Sequence, residues 1–274
     1  MHELSQEISL ALTDLGYADL TEVQQAVIPA VLAGQDLIVS APTGSGKTAA
    51  FAIPVCEQVT LTLRQPQALV LTPTRELALQ VQQTFSQIGR FKKIRCAAIF
   101  GKQPFMQQRN ELRQRVHVVI GTPGRTLDHL EKDHLDLSQI RWLILDEADK
   151  MLELGFIEQV EAIIGRVSQN RTTLVFSSTL SEPVEQLCRQ YMRTPQRIAI
   201  MATKPLQDKI SQSWLAVSDN DKFHLTIQLL DKLQPSRCIL FCSTRERVDA
   251  LARELQQKRP NVALCSLHGG MEQN

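Results

Sequence analysis

The residues best suited to chemistry form one run, Ala41-Pro42-Thr43-Gly44-Ser45-Gly46-Lys47-Thr48. A loop without bulky side chains lets backbone N–H groups converge on phosphate oxygens, and a helix N-terminus adds partial positive charge there. Lys47 can then reach the outer phosphates of a nucleoside triphosphate, and the Thr48 hydroxyl can ligate Mg²⁺. Leu37-Ile38-Val39 before the loop reads as a short buried strand, and Ala49-Ala50-Phe51-Ala52-Ile53 after it as a helix. The strict phosphate-loop pattern starts with Gly, and Ala41 in that place still leaves room. A Gly-rich turn with an incidental lysine is the plain alternative; the flanking strand and helix argue against it. Thr43, Gly44, Ser45, Gly46, Lys47 and Thr48 are therefore the candidate nucleotide-binding residues.

A second constellation, Asp146-Glu147-Ala148-Asp149, follows the apolar run Trp142-Leu143-Ile144-Leu145. Acidic residues at the end of a buried strand suit the other half of a triphosphatase site. Asp146 is the candidate Mg²⁺ ligand, directly or through water. Glu147 is the candidate base that orients and deprotonates the attacking water. Taken alone, the cluster reads equally well as a helix cap with an acidic first turn; with the phosphate loop present, the catalytic reading prevails.

The elements that position these loops follow from the apolar pattern. Residues 3–15 have helical spacing, and Thr21 with Gln24 resembles a capping box for a helix from Glu22 to about Leu32. Strands are expected at Ala68–Leu71, Ile94–Phe100, Val116–Ile120, Trp142–Leu145, Thr173–Phe176 and Arg197–Ile200. Helices are expected between them at Arg75–Ile88, Pro104–Arg113, Arg125–Leu130, Gly155–Val167 and Pro183–Tyr191. Short Val/Ile/Leu runs alternating with helices predict an α/β fold, a parallel sheet covered by helices on both faces. Ligands bind such sheets beyond the carboxyl ends of the strands. Residues 1–201 form this first domain, and the polar stretch 202–208 reads as a linker. In 209–274 the alternation restarts, with strands expected at Ser213–Val217, Cys238–Phe241 and Val262–Cys265 and helices at Lys222–Leu230 and Arg247–Lys258. Three strands are few for an open sheet, so this region reads as the first part of a second α/β domain.

Bulk properties narrow the class. The 274 residues carry a net charge of +1, so any nucleic-acid surface must be a local patch. The first residues lack the apolar core of a signal peptide, and no apolar run approaches the roughly 20 residues of a membrane helix. Cys56, Cys96, Cys188, Cys238, Cys242 and Cys265 are scattered, mostly in apolar runs and without a Cys-x-x-Cys pair. They read as buried thiols of a cytoplasmic protein rather than zinc ligands or disulfides.

Asp-Glu-Ala-Asp together with Ala-x-Thr-Gly-x-Gly-Lys-Thr resembles the DEAD-box family of ATP-dependent RNA helicases. The resemblance implies RecA-like domains, ATP and Mg²⁺ as cofactors, and RNA as partner. Gly16-Tyr17 followed by Thr21 and Gln24 resembles the family's adenine-reading motif, which implies that Tyr17 stacks on the base and Gln24 hydrogen-bonds its edge; Leu20 stands where Pro is usual. Pro73-Thr74-Arg75-Glu76-Leu77-Ala78 and Thr122-Pro123-Gly124-Arg125 match RNA-backbone motifs, implying contacts from Thr74, Arg75, Thr122, Gly124 and Arg125. Gly101-Lys102 replaces a Gly-Gly pair, and Gly101 still permits close approach of RNA. Ser177-Ser178-Thr179 replaces Ser-Ala-Thr, the motif that couples the nucleotide site to strand separation; Ser177 and Thr179 retain its hydroxyls, and Asp149 belongs to the acidic box it contacts. Leu240-Phe241-Cys242-Ser243-Thr244-Arg245 and Ser266-Leu267-His268-Gly269-Gly270 resemble early motifs of the family's second domain, with Gly270 where Asp is common.

Two later motifs of the family, Ala-Arg-Gly-Leu-Asp and His-Arg-x-Gly-Arg, do not occur in the 274 residues. The second supplies arginines to the γ-phosphate, and loss of such an arginine costs on the order of 10³–10⁵ in rate. The expectation is a polypeptide that binds ATP, hydrolyses it weakly and does not unwind RNA, cut from a parent that does both. Two other functions fit the phosphate loop: a nucleotide-gated RNA clamp or scaffold, and a DNA-directed motor. The adenine-reading motif and the Asp-Glu-Ala-Asp spelling argue against the motor, and Lys47 with Glu147 argues for real turnover in the parent.

Overall fold

Seven strands of four to six residues pair side by side in the order β3-β4-β2-β5-β6-β1-β7. They are β1 (Leu37–Ser40), β2 (Ala68–Leu71), β3 (Cys96–Ile99), β4 (Val118–Gly121), β5 (Trp142–Leu145), β6 (Thr172–Ser177) and β7 (Gln196–Ala199). Every pairing is parallel, so all carboxyl ends lie on one edge. The computed structural model describes residues 4–200 and 210–271. The chain divides into two compact units, Met1–Leu206 and Gln207–Asn274; the expected linker, 202–208, lies outside the described residues.

In the first unit successive strand residues serve opposite faces. Trp142 and Ile144 enter one core, Leu143 and Leu145 the other, and Leu174 and Phe176 lie opposite Val175 in the same way. This period of two, with both faces apolar, is what a parallel sheet buried on both sides requires. One face is covered by α1 (Gln6–Asp14), α2 (Glu22–Leu32), α3 (Lys47–Gln58) and α4 (Arg75–Ile88). The other carries α6 (Pro123–Glu131), α7 (Ala148–Glu153), α8 (Ile157–Ile164) and α9 (Glu182–Tyr191). Between β3 and β4 runs α5 (Phe105–Leu112). The α3 helix is buried along Ala49–Cys56, because it is sandwiched between the sheet and α2 and α4. Its Phe51 ring lies 5.1 Å from Phe176 of β6 and 5.9 Å from Phe85 of α4.

The structure departs from expectation in three places. The α7 helix arises directly from the acidic box; its six residues are too few to show periodicity. The expected strands Ser213–Val217, Cys238–Phe241 and Val262–Cys265 are not formed: the second unit contains α10 (Lys222–Leu233) and α11 (Arg245–Lys258) and no strand among its described residues. Strands need partners and an apolar cover, and here Trp214 is 86% and Phe241 94% exposed. Finally, Cys238 and Cys265 are exposed rather than buried. All six cysteines are free, and no helix among the described residues is long and apolar enough to cross a membrane.

Phe51→Ala should lower unfolding stability by about 3–5 kcal/mol through the cavity left between α3, α4 and β6. Denaturant titration checks this, and a loss below about 1 kcal/mol would show that the three-ring contact does not anchor α3.

Candidate functional site

Strand order sorts the candidate residues into two zones along one edge. The loops after the neighbouring strands β5, β6 and β1 carry the acidic box, Ser177-Ser178-Thr179 and the phosphate loop. The loops after the neighbouring strands β3, β4 and β2 carry Gly101, Thr122 with Gly124 and Arg125, and Thr74 with Arg75.

Within the first zone the phosphate loop is shaped by two glycines at positive φ, Gly44 (+81°) and Gly46 (+92°). Gly46 caps α3, so Lys47 and Thr48 open that helix and their N–H groups point toward the loop. The Lys47 ammonium donates to the Ala41 carbonyl at 2.7 Å. It retains two further protons for a phosphate. The α2 start supports the loop from beneath. Thr21 Oγ1 donates to the Ser45 carbonyl at 2.8 Å, and Gln24 Nε2 to the Gly46 carbonyl at 3.3 Å. Gln24 Oε1 accepts from Thr21 N at 3.0 Å, as the expected capping box requires. A Cβ at Gly46 would lie 2.5 Å from Gln24 Nε2. Gln24 is thus a buried strut of the phosphate loop; one N–H and one lone pair of its amide remain for a base edge. Tyr17 is half-buried against the first core cluster just beyond the end of α1.

Asp146 is 3% exposed. Burial, with the Glu147 and Asp149 carboxylates behind it, pushes its pKa up to about 7 against the pull of Lys47. A buried carboxyl in this state gains from a cation beside it. No cluster of three metal-ligating His, Cys, Asp or Glu side chains exists among the described residues. Asp146 and the Thr48 hydroxyl offer only oxygen donors, and few of them, which suits an ion that keeps most of its shell as water and phosphate oxygens, the habit of Mg²⁺. Glu147 adopts φ +53°, a left-handed conformation uncommon for a residue other than Gly. Its side chain lines a cleft of about 170 Å³ shared with Thr43, Lys47, Asp149, Lys150, Glu153, Ser178 and Thr179.

Asp149 joins the box to β6. Its Oδ2 accepts from Thr179 N and Oγ1, both at 2.9 Å, from Ser178 Oγ at 2.6 Å and from Ser178 N at 3.2 Å. Ser177 Oγ accepts from Asp149 N at 3.3 Å and donates to the Thr179 carbonyl at 2.6 Å. Burial raises the Asp149 pKa, but the Ser178 and Thr179 hydrogen bonds outweigh it and hold the value down at about 2. Sequence reasoning picked out Ser177 and Thr179 and passed over Ser178, whose hydroxyl makes a contact that the usual alanine lacks.

In the second zone Thr74 caps α4, its hydroxyl accepting from Leu77 N at 3.2 Å. The Arg75 guanidinium lies over the Phe100 ring at 5.1 Å. Thr122 caps α6 with Pro123 in its first turn, and Gly101 and Gly124 have open space where a Cβ would stand. Arg125 is turned inward: Nη1 donates to Gln108 Oε1 at 2.9 Å and to the Gln103 carbonyl at 3.1 Å.

Comparison with known proteins joins these observations. The family model of DEAD/DEAH box helicases matches residues 21–187, more than half of the chain and both halves of the triphosphatase constellation. The chain belongs to the DEAD/DEAH box helicase family. It is 47% identical over 272 residues to the ATP-dependent RNA helicase DbpA of Bacillus subtilis, covering 99% of this chain and 56% of that protein. It is 39% identical to the DEAD-box ATP-dependent RNA helicase CshA of Geobacillus kaustophilus, covering 98% and 57%. The chain thus spans about half the length of the curated relatives it matches. A crystal structure of a DEAD box protein from Methanococcus jannaschii matches with TM-score 0.71 at 34% identity, over 98% of this chain and 72% of that one. The DEAD-box resemblance and the α/β architecture read from the sequence for the first domain therefore hold.

The Asp149 carboxylate gives a pH prediction. Its pKa is depressed from 3.8 to about 2, so its stabilisation is complete above the ordinary value and is lost as pH falls between the two. Across that window the wild type should lose about 1–2 kcal/mol more unfolding stability than Asp149→Asn. Denaturant unfolding at stepped pH checks this; parallel profiles would contradict it.

Proposed function

We propose that this chain is the nucleotide- and RNA-binding part of an ATP-dependent RNA helicase. The observation that carries the reading is the convergence of Lys47, Glu147, Asp149 and Thr179 on one cleft at the ends of β1, β5 and β6. The names of the relatives, ATP-dependent RNA helicases, support the same reading.

In this reading ATP lies along the cleft, with its phosphates on the N–H groups of Thr43 to Thr48 and the ammonium of Lys47. Tyr17 and Gln24 select adenine. Asp146 and Thr48 hold Mg²⁺, directly or through water, and the ion supplies charge neutralisation to the phosphates when bound. Glu147 orients the attacking water and accepts its proton. RNA lies across the second zone on Thr74, Arg75, Gly101, Thr122, Gly124 and Arg125. Its contacts are mainly to phosphate and sugar, and therefore largely indifferent to sequence. Asp149, Ser177 and Thr179 link the two zones. The unit Gln207–Asn274 is the beginning of a second RecA-like domain. Its Thr244 accepts from Arg247 N at 3.2 Å to cap α11, as Thr74 caps α4. In the whole protein ATP and RNA each favour closure of the two domains, so each tightens the other, and hydrolysis reopens them. The cysteine usage supports a cytoplasmic setting.

Calorimetric titration with ATP and Mg²⁺ tests the nucleotide half. The unaltered chain should bind, and Lys47→Ala should bind at least about tenfold more weakly, the worth of one charge-assisted phosphate contact. No binding by the unaltered chain, or equal binding by the variant, would overturn the reading.

A further inference from the structure

Gln108 is an unusual residue for its position. Its helix, Phe105-Met106-Gln107-Gln108-Arg109-Asn110-Glu111-Leu112, is polar from Gln107 to Glu111, yet Gln108 is fully buried, at 0% exposure. Both ends of its amide are used twice. Oε1 accepts from Arg125 Nη1 at 2.9 Å and faces His129 Nε2 at 3.2 Å. Nε2 donates to the Phe100 carbonyl at 2.9 Å and to Gln103 Oε1 at 2.7 Å. The orientation of the amide is forced, because a guanidinium only donates and a carbonyl only accepts. One neutral side chain therefore ties the loop after β3, at Phe100 and Gln103, to the first turn of α6, at Arg125.

The rest of the pocket makes this geometry stiff. The His129 ring stacks on Phe105 at 4.1 Å with planes 4° apart. The Arg125 and Lys132 cations lie over the same Phe105 ring, at 5.4 and 4.3 Å. Arg125 is left with Nε 3.6 Å from the exposed Asp128 carboxylate, a side chain 15% exposed overall, and Nη2 without a hydrogen bond among the described residues. Arg125 and the two residues that flank Gly101-Lys102, Phe100 and Gln103, are thus held by one amide.

We propose that Gln108 is a positioning residue for RNA: it fixes the Arg125 guanidinium and the Gly101-Lys102 loop in the relation that a phosphodiester backbone requires. The inference rests on the RNA reading of the β3–β4–β2 zone. Without Gln108, Arg125 keeps only the Gln103 carbonyl of its two inward hydrogen-bond partners, and the loop after β3 loses two of its hydrogen bonds. A glutamate in its place would lose both donors, and an aliphatic side chain would leave the Phe100 carbonyl and Arg125 Nη1 short of partners.

Binding of fluorescent oligo(U) RNA to the full chain, measured over a range of salt concentrations, tests this. Gln108→Met, Arg125→Ala and the double variant are compared, with circular dichroism and ATP binding reporting the fold. Arg125→Ala should weaken binding roughly tenfold and lower the slope of log affinity against log salt by about 0.7, the worth of one phosphate on a single strand. Gln108→Met should reproduce both changes, and the double variant should add little to either. A mere packing role would weaken binding without moving the slope. Should Gln108→Met lose ATP binding, Gln108→Asn, one methylene shorter and still polar, takes its place with the same expectation. An unchanged slope in the Gln108 variants beside a reduced slope in Arg125→Ala would overturn the inference and leave the RNA reading standing. No salt-dependent binding by the unaltered chain, or no effect of Arg125→Ala, would overturn the RNA reading and this inference with it.

Discussion

Parallel pairing of β5, β6 and β1 is the constraint on which the proposed nucleotide site depends. Leu145 stands opposite Val175, and Ser40 opposite Ser177, so three chains leave the sheet side by side and in the same direction. The pairing also runs on into the loops: Ala41 N donates to the Ser177 carbonyl at 3.3 Å and Asp146 N to the Leu71 carbonyl at 2.9 Å. The residues proposed to meet a triphosphate are thereby placed by backbone hydrogen bonds. Packing of Phe51 on Phe176 then fixes the helix that begins with Lys47 against the strand that ends in Ser177. The cleft is lined by residues of the loops and helices that follow these strands.

The same strand order separates two kinds of chemistry without a second domain. Buried carboxylates with shifted pKa values gather at β5, and helix caps with arginines gather at β4 and β2, beside the Gly101 loop of β3. Asp149 is the physical tie from the box to β6: four hydrogen bonds to one carboxylate oxygen make any movement of Ser178 and Thr179 a movement of the acidic box. The Ser178 hydroxyl, at the position where the sequence pattern led to an expectation of alanine, adds one of those four hydrogen bonds. At the far side, Gln108 plays the comparable part between α5 and α6. Both devices are hydrogen-bonded and buried, where the low local dielectric makes a well-satisfied polar contact strong and a broken one costly.

Much of the fold was legible because the relevant signals are local. Ala68–Leu71 and Trp142–Leu145 are four-residue apolar runs between polar turns, and the strands β2 and β5 have those same bounds. Glu22–Leu32 and Arg75–Ile88 likewise combine a cap with a helical apolar stripe and match α2 and α4. What was not legible depends on partners distant in sequence. The apolar runs of the second unit have the composition of strands but no neighbour to pair with among the described residues. Gln108 looks like a solvated glutamine on a polar helix, and only the tertiary fold buries it. Gln24 was read as a reader of adenine, whereas the structure also makes it a support for Gly46, 22 residues away. Ser178 was noted as a departure from a pattern; its contact with Asp149 required the turn after β6 to be placed against the box.

The central claim is that one sheet edge holds two separate binding zones, ATP at β5–β6–β1 and RNA at β3–β4–β2. Amide hydrogen exchange of the chain with ATP and Mg²⁺, and separately with single-stranded RNA, tests it most directly. The account predicts that nucleotide slows exchange at residues 43–48 and 146–149, and that RNA slows it at 74–75, 101–103 and 122–125. Protection of the same residues by both ligands, or nucleotide protection confined to the loops after β3, β4 and β2, would contradict it.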